Sequence, residues 1–322
     1  MTFSVAVVGT GPAGFYATEA IIKALPGCEI DLIDRLPTPY GLVRSGVAPD
    51  HQGTKNVWRV YQRTAKRPEV RFLGNVEVGR DLMLSELRDA YDAVVLAIGA
   101  PVDKRLGIVG EDLPGVVDSS KITGWYNGHP DHSDYLPDLS VSGVLVIGTG
   151  NVAVDVVRVL SRTVPEMLKT DLPGYARDAL GKKGVRRITM LGRRGPGEAS
   201  FTPVELRELG ELAETVATVD PRDLPEAVHA SDPNQQKLKD KILDILKGYA
   251  QNDPASKPVE LRIGFYGSPV EIVGHERVEG VIIERTKLEN GKAVLTGERM
   301  TLPVGLVVKA IGYSVKSMEG IE

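Results

Sequence analysis

Gly9-Thr10-Gly11-Pro12-Ala13-Gly14 and Gly148-Thr149-Gly150-Asn151-Val152-Ala153 are the two stretches from which the architecture of this chain can be read. Each follows a short apolar, β-branched run, Phe3 to Val8 in the first case and Val144 to Ile147 in the second, and each leads into an apolar helical pattern. A strand with no polar face is the mark of a buried parallel strand, and a glycine-rich turn between such a strand and a helix is the phosphate-binding turn of a βαβ unit. Gly9 permits the tight turn, Gly11 lets the backbone approach a pyrophosphate, and Gly14 lets helix and strand pack closely. The helix N-terminus supplies N–H donors and a partial positive charge, and Pro12 costs nothing there because its N–H has no helical partner to lose.

The neighbours of the two turns differ. After the first, a strand over Glu29 to Ile33 ends at Asp34, an acid placed to accept hydrogen bonds from the hydroxyls of an adenosine ribose and to repel a 2′-phosphate. That site suits FAD or NAD. After the second, in which Gly148, Thr149, Gly150, Asn151 and Val152 form the cradle and Ala153 stands for the third glycine, the strand Ile188 to Leu191 ends in Gly192-Arg193-Arg194-Gly195. Two guanidinium groups there can grip a 2′-phosphate, which predicts NADP(H); the alternative is a pair of surface arginines after a strand. The gap from Gly148 to Arg193 exceeds the usual spacing because Pro165 to Lys183 reads as an inserted helical excursion.

The remaining features bound the function class. The chain has 322 residues, 42% hydrophobic and 25% charged, enough for two domains of ordinary size. A net charge of −4, with five Phe and two Trp, argues against general nucleic-acid binding. No apolar run is long enough to span a bilayer and no basic-apolar leader is read at Met1, so the expected location is the cytoplasm. The single cysteine, Cys28, excludes an internal disulfide or a Cys-x-x-Cys exchange pair and reads as buried filler. His129 and His132 with Asp131 and Asp134 read as loop polarity rather than a metal site, since no regular element fixes their geometry.

Between the fingerprints runs a Pro- and Gly-rich segment, Pro37-Thr38-Pro39-Tyr40-Gly41-Leu42-Val43-Arg44-Ser45-Gly46-Val47-Ala48-Pro49-Asp50-His51. It closely resembles the adrenodoxin-reductase-like branch of the ferredoxin-NADP reductases, as do Val146 to Leu160, Leu191 to Pro196 and Ser200 to Leu209, with matches in order from Val5 to about Tyr313. The resemblance implies an α/β fold of two Rossmann-like dinucleotide-binding domains of the glutathione-reductase type. FAD would sit in the first site and NADPH in the second, with electrons delivered to a small ferredoxin-type iron–sulfur protein. It places Gly9, Gly11, Ala13, Gly14, Asp34, Leu42 and Val76 against FAD, and Thr149 to Val152, Arg193, Arg194 and Glu205 against NADP(H). His51 and Asp155 resemble the family's polar pair near flavin and nicotinamide. From the residues alone, such a pair can hold or relay a proton, or His51 can merely order its loop while Asp155 bonds within its own helix.

An acidic ferredoxin calls for a basic face, and Lys55, Arg59, Arg63, Lys66, Arg67 and Arg71 supply one against Glu69; docking on Arg59, Arg63 and Arg67 is the expectation. Lys237, Lys239, Lys241 and Lys247 on the helix from Gln235 to Tyr249 form a second patch, offset by Asp240 and Asp244. The expected domains are 1–103 plus 304–322 for FAD and 104–303 for NADP. In this scheme Asp92 to Ile98 is a buried strand, Val259 to Leu302 an antiparallel meander turning at Glu289-Asn290-Gly291, and Leu306 to Ile311 a return strand into the first domain. A Gly-Trp-x-Lys-Arg-Gly-Pro-like segment that closes the family's FAD domain is not found, so the discontinuous FAD domain is expected to be C-terminally truncated. The alternatives to a complete flavin enzyme are a nucleotide-binding remnant, or an electron-input subunit similar to the small subunit of glutamate synthase that needs a partner to complete the FAD site.

Overall fold

The computed structural model describes residues 2–315, and the chain divides into two compact units, Met1–Val102 with Tyr313–Glu322, and Asp103–Gly312. The first unit opens with β1 (Ser4–Val8), α1 (Pro12–Ala24) and β2 (Glu29–Asp34). The long loop then carries three short helices, α2 (Leu42–Ser45), α3 (Gln52–Lys55) and α4 (Trp58–Ala65), before β3 (Val70–Gly74), α5 (Leu84–Ala90) and β4 (Ala93–Leu96). The strands form a parallel sheet in the order β3-β2-β1-β4.

Alternate residues of β1 serve opposite faces, as the period of two requires. Val5 and Val7 pack with Phe15, Ile30, Leu32 and Tyr61 under α1 and α4, while Ala6 and Val8 pack with Ile33 and Leu87 on the α5 side. Stacking of Phe15 on Tyr61, with ring centroids 4.9 Å apart, ties α1 to α4. The strand expected to be buried over Asp92 to Ile98 is shorter and only half-buried: Ala93, Val94 and Val95 are intermediate and Leu96 is 37% exposed. The reason is its place at the sheet edge, where β1 is its only ladder partner among the described residues.

The second unit begins within β5 (Val102–Asp103), at Asp103, and continues with β6 (Val116–Asp118), α6 (Ser119–Asn127), β7 (Gly143–Ile147) and α7 (Asn151–Ser161). The inserted excursion holds α8 (Val164–Met167) and α9 (Gly174–Gly181). There follow β8 (Arg187–Leu191), α10 (Pro203–Glu208), β9 (Thr215–Val219), α11 (Pro233–Tyr249), β10 (Val259–Gly264), β11 (Gly267–Val273), β12 (Gly280–Glu289), β13 (Lys292–Pro303), β14 (Leu306–Lys309) and β15 (Tyr313–Ser314), the last belonging to the first unit. Six strands form a parallel sheet in the order β6-β14-β7-β8-β10-β9, and β11-β12-β13 form an antiparallel meander.

Two expectations about boundaries are corrected. β10 pairs in parallel with β8 and β9, so the meander begins only at β11. β14 is no return strand into the first domain: Leu306 to Lys309 pair with Val144 to Ile147 of β7, and Val307 to Lys309 with β6. Residues 304–312 therefore belong to the second unit, and 316–322 lie outside the described residues. An apolar strand pattern announces burial in a sheet but carries no label saying which sheet. The meander turn falls at Asn290-Gly291, both with positive φ (52° and 74°), the backbone of a tight hairpin.

Candidate functional sites: two dinucleotide cradles

In the first unit the glycine turn is built as its spacing requires. Gly9 has φ +97°, and a Cβ there or at Gly14 would run into the backbone carbonyls of Ala97 and Gly9 respectively. No side chain caps the first turn of α1, whose N-cap is Gly11 and whose first residue is Pro12. The N–H groups of Ala13 and Gly14 are thereby left to an outside acceptor. Asp34 ends β2 beside the turn and accepts the backbone N–H of Thr10 and of Leu36, each at 2.9 Å, as well as the Thr10 hydroxyl. A carboxylate has about four acceptor sites, so one remains for a ribose hydroxyl.

The long loop folds back onto this turn. Tyr40 donates its N–H to the Thr10 carbonyl at 2.9 Å, Tyr40 and Gly41 both have positive φ, and a Cβ on Gly41 would come 2.8 Å from the Gly11 Cα. Leu42, next in sequence, is 66% exposed, and Val76 donates its N–H to the Asp34 carbonyl. The glycine turn, Asp34 and the Tyr40-Gly41 bend are thus tied together, Leu42 follows Gly41 in sequence, and Val76 is held to Asp34 by its backbone while its side chain packs on the α5 face of the sheet. Thr10, fully buried, and Tyr40-Gly41 were missed in the sequence; the Pro-Tyr-Gly turn was the signal available for the latter.

In the second unit Gly148 has φ +134° and a Cβ on it would strike the Ala310 carbonyl, while a Cβ on Gly150 would meet nothing within 4 Å. The backbone at Gly150 is open to a ligand, and no side chain caps α7. Beyond β8, the carbonyl of Arg193 accepts the Thr286 hydroxyl at 2.7 Å and that of Arg194 accepts the Tyr266 N–H at 3.2 Å. Their backbone is pinned, and among the described residues neither exposed guanidinium has an ion-pair partner. Ser200 donates its N–H to the Thr149 carbonyl at 3.0 Å, which brings the following loop onto the turn. Glu205 plays a structural part, since its carboxylate accepts the Thr202 N–H and hydroxyl in a capping box that starts α10.

At the far end of α7, the Lys183 ammonium donates to the carbonyls of Leu160 (2.6 Å) and Arg162 (2.7 Å), satisfying groups the helix terminus leaves over. Burial pushes this lysine down to about 8, against the pull of Glu166 and Glu214. The inserted excursion thus ends on a residue that caps the dinucleotide helix.

Asp155 lies on α7 and pairs with the fully buried Arg158 at 2.7 Å, the bond within its own helix that the sequence left open. His51 is the N-cap residue of α3 and makes no side-chain capping bond there. In the basic segment, the six cations are not equivalent. Lys55 is buried, Arg71 pairs with Asp31 and Arg67 with Glu69 at 2.9 Å, while Arg59, Arg63 and Lys66 are exposed. No group of three or more candidate metal ligands occurs among the described residues.

Comparison with known proteins agrees with this geometry. The model of the pyridine nucleotide-disulphide oxidoreductases matches residues 3–168. NADPH-ferredoxin reductase FprA of Mycobacterium tuberculosis (strain ATCC 25618 / H37Rv) is 39% identical over 321 residues, covering 97% of this chain and 70% of that protein. Mitochondrial NADPH:adrenodoxin oxidoreductase of Arabidopsis thaliana is 42% identical over 338 residues, covering 98% and 69%. The chain belongs to the NADPH-ferredoxin and adrenodoxin reductase family. Its fold matches the structure of Mycobacterium tuberculosis FprA in complex with NADPH with a TM-score of 0.95 and 38% identity, covering all of this chain and 73% of that one. The cofactors are accordingly FAD and NADP(H), and the two cradles fit them unequally: an acid closes the first and two arginines stand at the second. The disulphide for which the broader family is named has no counterpart here, because Cys28 is the chain's one cysteine.

Proposed function

We propose that the protein is a flavin-dependent oxidoreductase that passes electrons from NADPH through FAD to a ferredoxin-type iron–sulfur protein. The observation that carries the reading is the contrast between the strand ends after the two glycine turns, Asp34 in one and Arg193-Arg194 in the other, on a chain of this family. When bound, FAD supplies the exchange between a two-electron hydride donor and a one-electron acceptor. The chain's own residues bind and orient. Ala13, Gly14 and Asp34 would hold the FAD pyrophosphate and ribose, and Asn151, Val152 and the two arginines would hold NADPH. Positioning is the main contribution a protein makes to a hydride transfer.

Within this reading, His51 and Asp155 are the polar pair serving the flavin and nicotinamide ends. The expected FAD-domain contacts of Leu42 and Val76 and the NADP(H) contact of Glu205 through its uncapped oxygen belong to it too. Ferredoxin docks on the exposed face of α4 through Arg59 and Arg63, with Arg67 contributing less because Glu69 already neutralises it. The proposed site of action is the cytoplasm, and no helix among the described residues is long and apolar enough to cross a membrane.

A second reading, in which a partner completes the FAD site, is favoured by one observation: the half-exposed β4 edge has β1 alone as partner among the described residues. A visible spectrum of the purified protein followed by anaerobic NADPH titration tests both. The first reading expects bound flavin that bleaches with NADPH and then reduces ferredoxin. Colourless protein that retains NADP+ affinity would reject it in favour of the second.

A further inference from the structure

The second unit encloses a cavity of about 270 Å³ between its parallel sheet and the meander, lined by residues of β8, β10, β12 and β13 and by the segment after β9. Gly264 stands opposite Leu191 in the β10–β8 register, and a Cβ on it would come 3.2 Å from the Leu191 Cδ1, so the leucine side chain leans over the glycine on this wall. Leu191, Ile283 and Leu302, all buried, form an apolar wall.

Of two polar groups on the same wall, one is unpartnered and the other loosely held. Thr189 is 5% exposed, and its hydroxyl has no hydrogen-bond partner among the described residues. An orphan hydroxyl at that depth has given up its water without replacement, so it calls for a partner. Its direct neighbour in register is Arg262. The Arg262 guanidinium comes no closer to Asp220 than 3.6 Å, since Asp220 is taken by two-pronged hydrogen bonds from Arg222. The other arginines of the lining are committed: Arg285 to Asp223 at 2.8 Å and Arg299 to Glu284 at 2.7 Å. Arg262 is the most loosely tied arginine of the lining, with a 3.6 Å ion pair to Asp220 and no side-chain hydrogen bond among the described residues, and it stands next to the orphan hydroxyl over an apolar wall.

We propose that this cavity binds a small monocarboxylate with a compact aromatic or branched apolar body. The carboxylate lies on the Arg262 guanidinium and accepts the Thr189 hydroxyl, and the body covers Leu191, Ile283 and Leu302. A planar fork matched to a carboxylate is the geometry guanidinium groups favour. Asp220, Asp223 and Glu298 around the lining oppose a second negative charge, which separates this ligand class from phosphates and dicarboxylates. Arg193 and Arg194 do not line the cavity, but Tyr266 and Gly267 of its lining donate to the Arg194 and Gly192 carbonyls, so it adjoins the dinucleotide cradle without sharing the two guanidinium groups.

The test uses the purified full chain with its cofactor as isolated, with benzoate as the probe and benzamide and isophthalate as controls, followed by calorimetry and ligand-observed NMR. Benzoate is expected to bind with a dissociation constant on the order of 1 mM or tighter, benzamide and isophthalate at least tenfold more weakly. Thr189→Val and Arg262→Gln should each weaken benzoate about tenfold or more while leaving NADP+ affinity unchanged. Equal affinity for benzoate and benzamide, no benzoate binding, or one-for-one competition between benzoate and NADP+ would overturn the proposal. The benzoate–benzamide comparison on the unaltered protein stands whether or not either variant folds. Failure here leaves the electron-transfer reading untouched, since none of these residues belongs to it.

Discussion

The carboxylate of Asp34 accepts the backbone N–H of Thr10 at 2.9 Å, so the acid that ends β2 also pins the glycine turn it faces. Replacing Asp34 with Ala strands the N–H groups of Thr10 and Leu36 as well as removing a ribose acceptor. The expected result is FAD binding weakened tenfold or more, with NADP+ affinity unchanged, measured by flavin fluorescence on reconstituted protein. Equal loss for both nucleotides would mean that the variant has simply misfolded.

Arg193 and Arg194 have pinned backbones and uncommitted guanidinium groups. Charge-assisted hydrogen bonds are worth about 1.5–3 kcal/mol each, or roughly ten- to a hundredfold in affinity. Arg193→Ala and Arg194→Ala are therefore expected to raise KM for NADPH by that factor and leave KM for NADH little changed. An unaltered NADPH-to-NADH preference would remove the arginines from the cofactor site.

For ferredoxin docking, Arg59→Glu and Arg63→Glu should raise KM for ferredoxin several-fold and weaken its salt dependence, with small-dye reduction intact. Arg67→Glu should do less, because Arg67 already faces Glu69. Parallel loss with both acceptors would argue for a damaged flavin site instead.

Lys183 predicts an alkaline effect. Burial lowers its folded pKa to about 8, below the value near 10.5 of an unfolded chain, so between those pH values the unfolded state binds more protons. Stability should rise as pH climbs from about 8 to about 10.5, by at most about 3 kcal/mol. Urea unfolding of the wild type and of Lys183→Met at pH 7 and pH 10 checks this; the rise should be missing from the variant.

Glu111 predicts the opposite limb. Burial would raise its carboxyl, but hydrogen bonds from Lys309 and from the backbone of Leu106 and Gly107 hold it at about 2. With a folded pKa below the unfolded one, its contribution is complete above about 4.5 and lost as pH falls toward 2. Glu111→Gln should cost about 3 kcal/mol at neutral pH, because Lys309 keeps only Asp118 at 2.9 Å, and should flatten the acid limb in urea titrations.

Much of this molecule is legible in local sequence because its key features are local. Strand, glycine turn and helix follow one another without interruption, and Asp34 and the two arginines end the strands that the apolar patterns mark. The ladder position of a strand is different in kind. Leu306 to Lys309 and Val259 to Gly264 read correctly as strands and incorrectly as to sheet, because hydrophobicity specifies burial and not partner. The exposure of β4 and the strand and helix at Val116–Asp118 and Ser119–Asn127 escaped for the same reason: edge strands and short helices are decided by what lies beside them.

Residue order alone was enough to point to two nucleotide cradles, the first suited to FAD or NAD and the second to NADP(H), since glycine spacing and the sign of charge at a strand end act through short stretches of contiguous chain. The folded chain was needed to show that Asp34 holds Thr10, that Lys183 caps the helix Asn151 begins, and that Thr189 and Arg262 stand side by side in the β8–β10 register. These pairings join residues from 21 to 73 positions apart, and the fold, not any local pattern, sets which of the many polar groups at such separations come together.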